Sequence, residues 1–109
     1  DLVVVLSHLG FPQDCKLARV VPGIDVILSG HTHNRLERPA LVNETIIMQS
    51  GAHGSFVGRL DLEVQASGVS GWRHALLAVD DTIEEDPGTR ALVEEALSPF
   101  AGAGANVLG

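Results

Sequence analysis

Cations and aromatics are scarce in this sequence, and cysteine is nearly missing. Seven Lys and Arg stand against 14 Asp and Glu in 109 residues, giving a formal net charge of −7. Cations scattered singly do not build the basic stripe that a phosphate backbone needs, which excludes a nucleic-acid polymer as partner. An acidic chain still takes an anionic small molecule when metal cations supply the positive charge. Aromatics amount to 4% with no tyrosine, so no stacked pair for gripping a nucleobase is present. Cys15 is the single cysteine. An internal disulfide is therefore excluded, the redox compartment stays open, and the residue reads as helix packing rather than as a nucleophile. No apolar run reaches the roughly 18 residues of a membrane span. The opening residues, Asp1 and then "LVVVLSH", read as strand interior rather than as a secretory leader, so the sequence is expected to be a stretch of a longer polypeptide.

Apolar content is 45%, which suits one small globular unit with a modest core. Leu2 to Leu6 form a valine-rich run that predicts a strand buried on both faces. Gly10 and Pro12 break it. Leu17, Val20 and Val21 predict a short helix over 13–21, ended by Pro22-Gly23. Ile24 to Leu28 predict a second aliphatic strand, so the start reads as a βαβ unit with parallel strands. A polar loop with Pro39 follows, then a short strand near 40–42 and another over 45–49. Residues 56–64 alternate apolar with charged, their phase disturbed at Gly58, and 72–79 predict a last strand. The class is α/β, with parallel strands first and an antiparallel meander after. Pro87 and Gly88 read as breakers before a helix over 89–100, whose Leu92, Val93, Ala96 and Leu97 form an apolar face. The small-residue tail "AGAGANVLG" reads as a linker.

In parallel sheets the functional loops gather past the carboxyl ends of the strands. His8 lies just past the first predicted strand. His31 and His33 lie just past the second, in Gly30-His31-Thr32-His33. Gly30 allows a sharp turn there, and Thr32 holds the loop through local hydrogen bonds. Three imidazoles on one edge point to metal, since neutral imidazole is the commonest transition-metal ligand. His74 alternates within a strand and gets no role. His53, in a glycine-rich turn, is placed along a substrate cleft.

"VVVLSHLG" followed by "GIDVILSGHTHN" resembles the calcineurin-like metallophosphoesterase superfamily, above all its 5′-nucleotidase branch. The intervening "DCKLARVVPGIDVI" and the later "IIMQSGAHGSFVGRLDLEV" are similar too, so the resemblance covers residues 1–80. The resemblance implies a partial β-sandwich flanked by helices. Residues 1–80 would be the carboxyl-terminal half of a catalytic domain, and 81–109 a linker helix and tail leading to a second domain. It also implies a dinuclear centre of divalent ions, with His8 and His31 on one ion and His33 on the other. Zinc, manganese, iron and cobalt all suit such ligands. Asn34, Gln49, Gly51 and His53 would lie beside the site. The family's other ligands come from Asp-x-His and Gly-Asn-His motifs and a bridging Asp, and this sequence contains neither motif. It is expected to carry part of the centre without a catalytic residue of its own.

The implied activity of the parent protein is metal-dependent hydrolysis of a phosphoester, a nucleotide in the 5′-nucleotidase type. Two alternatives stay open. One is a non-catalytic metal-binding or inactive partial domain. The other is a superfamily relative acting on sulfur compounds or dinucleotides. An unpaired sheet edge with exposed apolar surface would favour self-association. Export or a periplasmic location is suggested by the family alone.

Overall fold

The computed structural model describes residues 1–101. The tail expected after Phe100 lies, but for Ala101, outside them. The chain divides into two units, one spanning Asp1–Val79 and the other beginning at Asp80.

In the first unit, β1 (Val4–Ser7), β2 (Val26–Ser29), β3 (Ala40–Val42) and β4 (Thr45–Met48) form one sheet in the order β1-β2-β4-β3. Helix α1 (Phe11–Val20) connects β1 to β2, and these two strands are parallel, as a βαβ reading requires. β4 pairs parallel to β2 and antiparallel to β3. The β3–β4 hairpin thus completes the parallel sheet instead of joining the later strands. Asn43 turns the hairpin in the left-handed region, at φ 54°, which Asn tolerates better than most residues.

The core lies where β2, β4 and α1 meet. Ala18, Ile24, Ile27 and Ile47 are buried together, and Val5, Phe11, Cys15, Leu17, Ala40 and Val42 pack against them. Cys15 is accordingly a packing residue with a free thiol. All four residues of β4 are buried, the expected fate of a continuous aliphatic strand at the centre of a sheet.

The same reading fails for β1. Val4 is 45% exposed and Leu6 80% exposed, although a strand buried on both faces was expected. Among the described residues β1 is an edge strand with β2 as its neighbour. Only Val5 of its middle residues turns onto the core. α1 also starts earlier than the spacing predicts, because Pro12 falls in its first turn, where a missing amide proton costs nothing.

β5 (Phe56–Gln65) and β6 (Gly68–Ala78) pair antiparallel as a separate two-stranded sheet, with a bulge between Glu63 and Val64. Gly58 explains the broken alternation in β5. A Cβ there would meet Met48 Cε and Ser50 Oγ, so those side chains would have to shift to admit one.

In the second unit, α2 (Pro87–Leu97) is followed by a 3₁₀ turn at Ser98–Phe100. Pro87 and Gly88 belong to the helix and do not merely precede it. Asp86 is the N-cap, accepting from the backbone N–H of Thr89 at 2.8 Å. The apolar face expected at Leu92, Val93 and Leu97 is exposed, and α2 buries none of its residues. Helical spacing sets which residues share a face, but burial also needs an opposing surface.

Candidate metal centre

β1 and β2 run parallel with Ser7 opposite Ser29. His8 follows Ser7 directly, and Gly30-His31 follows Ser29. The register therefore carries both imidazoles to one rim, where their ring centroids are 4.8 Å apart and tilted by 58°. A Cβ on Gly30 would stand 3.4 Å from His8 Nδ1 and from the Ser7 carbonyl oxygen, in contact but without a clash.

The next strand end contributes the second pair. Beyond β4, Ser50 bridges to Arg35, and the Gly51 N–H donates to the Asn34 carbonyl at 2.9 Å. The Leu36 N–H donates to the Gln49 carbonyl at 3.1 Å. These bonds tie the segment after His33 to the turn containing His53, and the two rings meet edge-on with centroids 5.6 Å apart. Arg35 lays its guanidinium over Phe56, 4.2 Å from the ring centroid.

His31, His33 and His53 have φ of 73°, 57° and 60°. Left-handed backbone at a residue other than glycine costs on the order of 1–3 kcal/mol and persists only where its surroundings impose it. Such strain concentrates at functional sites, and here it falls on three exposed histidines of one rim.

What holds the rim is a buried polar network. Asp14, on α1, is 0% exposed. Its carboxylate accepts from Ser7 Oγ at 2.6 Å through one oxygen and from Ser29 Oγ at 2.5 Å through the other. Gln49 Nε2 donates to Ser29 Oγ and to the Gly30 carbonyl, both at 2.9 Å. Gln49 Oε1 accepts from the Asn34 N–H. One buried amide thus grips the Gly30–Asn34 loop at both ends. Thr32 Oγ1 accepts from the Phe11 N–H at 3.0 Å, capping the first turn of α1, which has no side-chain cap of its own. Among the described residues every buried side-chain nitrogen and oxygen has a partner.

Of the residues singled out from sequence, the structure brings His8 to His31, His33 to His53, and Asn34 and Gly51 to the two sides of one backbone bridge. Gln49 lies beneath them. Among the described residues no group of three or more His, Cys, Asp or Glu is gathered as a metal-holding set. The donors come as imidazole pairs, chemically suited to a transition metal with positions left open to other ligands. Sequence reasoning missed Asp14. Its one signal was a carboxylate inside an otherwise apolar βαβ unit, with a serine closing each strand.

The chain as a whole is similar to several known proteins. The chain is 32% identical over 99 residues to the trifunctional nucleotide phosphoesterase protein YfkN of Bacillus subtilis, covering 85% of this chain and 7% of that protein. It is 28% identical over 127 residues to a 5′-nucleotidase of Diplobatis ommata, covering 100% of this chain and 22% of that one. Among solved structures, the sulfate thiohydrolase SoxB of Thermus thermophilus superposes with a TM-score of 0.87 at 34% identity, covering 93% of this chain.

The chain belongs to the calcineurin-like metallophosphoesterases, on the 5′-nucleotidase branch.

No family model matches it. The chain spans 19% of the SoxB chain and no more than 22% of the two curated relatives. Metallophosphoesterase relatives imply divalent-metal chemistry, and the imidazole rim is where this chain has donors for it. No helix among the described residues is long and apolar enough to cross a membrane.

Proposed function

We propose that the protein carrying this chain is a metal-dependent phosphoester hydrolase of 5′-nucleotidase type. Residues 1–80 are the carboxyl-terminal half of its catalytic domain, and the segment from 81 onward links to a further domain. His8 and His31 hold one divalent ion and His33 helps to hold a second, with His53 beside it. The observation that carries this reading is the pairing of His8 with His31 at 4.8 Å on two parallel strand ends.

Divalent ions at such a rim supply Lewis acidity toward a phosphoryl oxygen and lower the pKa of water. The chain's own part is positional. Two parallel strand ends bring His8 beside His31, and Gln49 grips the Gly30–Asn34 loop that carries His31 and His33. The remaining ligands, a carboxylate bridge included, would come from elsewhere in the protein. An acidic chain with few cations fits an anionic nucleotide only if the ions provide the positive charge.

The test is turnover of nucleoside monophosphates and p-nitrophenyl phosphate by the intact protein, alongside its metal content by elemental analysis. His31→Ala should lower turnover at least 100-fold and reduce bound metal. Unchanged metal content in His8→Ala, His31→Ala and His33→Ala alike would end the assignment. The close superposition on SoxB favours one second reading, hydrolysis of a sulfur ester. Turnover of a sulfate thioester in preference to a nucleotide would select it.

A further inference from the structure

Asp14 is fully buried, yet it belongs to no metal-ligand motif, and among the described residues its side-chain hydrogen bonds go to serines and not to a histidine. The two groups that donate to it are the residues that close β1 and β2, opposite one another in the parallel register. His8 follows the first at once, and His31 follows the second after one glycine. We infer that Asp14 is a positioning residue for the metal rim, a carboxylate clasp that sets the separation of His8 and His31 by holding Ser7 and Ser29 from below. This inference rests on the proposed metal-ligand role of the two histidines.

The direction of the hydrogen bonds strengthens the assignment. A hydroxyl has one proton to give. Ser29 gives it to Asp14, which leaves its lone pairs facing Gln49 Nε2. That fixes which end of the Gln49 amide is nitrogen. Its oxygen is then the end that meets the Asn34 N–H, while the nitrogen also reaches the Gly30 carbonyl. The carboxylate therefore sets both the strand-end spacing and the polarity of the chain of bonds gripping the His31–His33 loop. An asparagine at position 14 keeps the size but turns one acceptor into a donor. Ser7 or Ser29 must then reverse its hydroxyl, and a reversal at Ser29 opposes the Gln49 amide.

The test uses the intact protein carrying this chain, wild type and Asp14→Asn, with Ile47→Val as a control that weakens the core away from the rim. Long-range proton–nitrogen spectra of the metal-free protein report the imidazoles directly, and Co²⁺ titration by absorbance reports affinity. In Asp14→Asn the ring signals of His8 and His31 should move while those of His74 stay. Co²⁺ affinity should fall 10- to 100-fold, the usual effect of removing a group that orients metal ligands. Ile47→Val should lower Tm and change neither readout. Unmoved His8 and His31 signals in folded Asp14→Asn, or Co²⁺ affinity within twofold of wild type, would overturn the clasp. Should Asp14→Asn fail to fold, Ser7→Ala and Ser29→Ala each remove one arm, and they must shift the same two rings. A wild-type protein that does not bind Co²⁺ defeats the metal reading instead, and the ring signals then decide the clasp alone.

Discussion

Gly10 shows how closely single residues are specified around the rim. It adopts φ 97°, and a Cβ on it would lie 2.7 Å from Thr32 Cγ2. Thr32 cannot retreat without releasing the Phe11 N–H. Gly10→Ala should therefore destabilise the chain by about 1–3 kcal/mol, combining left-handed strain with overpacking, as measured by urea denaturation. The approach of His8 to His31 was legible because each follows an aliphatic run and the two runs are neighbouring parallel strands. Asp14 was not. An aspartate at the start of a helix ordinarily faces water and favours the positive helix end. Its actual role depends on two serines 7 and 15 residues away, which only the parallel register brings together. The pairing of His53 with His33 was hidden for the same reason, since it rests on bonds between two loops.

At the scale of elements, α2 offers a pH-dependent cap. The backbone N–H of Thr89, and then its hydroxyl, hold the Asp86 carboxyl below its ordinary value of 3.8. A lowered folded value means the cap's contribution is fully present above 3.8 and is lost as pH falls through the lowered value. Helical circular dichroism of the chain should thus decline below about pH 3.8 in wild type. Asp86→Asn still caps but has no proton to bind, so the part of that decline due to the cap should vanish. Asp followed by Pro was a start signal in the sequence, an N-cap and a first helical residue, and reading Pro87 as a breaker overlooked it. The strands were easier to place. Their positions along the chain were largely legible, whereas the entry of β4 into the parallel sheet and the burial of β1 were not, because an aliphatic run announces affinity for a cover without showing where the cover is.

Taken whole, the first unit rests on a small core. Among the described residues the buried apolar side chains are Ala18, Ile24, Val26, Ile27, Ile46, Ile47 and Met48. Ile47 is 0% exposed in the central β4. Ile47→Ala should cost about 2–5 kcal/mol, a large share of the 5–15 kcal/mol typical of a domain. Leu41→Ala, in the adjoining strand but 57% exposed, should cost far less. Thermal melts of the two variants compare them directly.

The strand order β1-β2-β4-β3 also fixes a schedule for a chain leaving the ribosome. β2 emerges before β4 with one edge vacant, and its permanent neighbour lies about twenty residues downstream. β3 arrives in between and must be carried past to the outside, so the hairpin has to dock as a unit. At roughly 5–20 residues per second of synthesis, Val26 to Leu28 wait a second or more as an open aliphatic edge. Nascent chains stalled short of Met48 are the ones that chaperones should find.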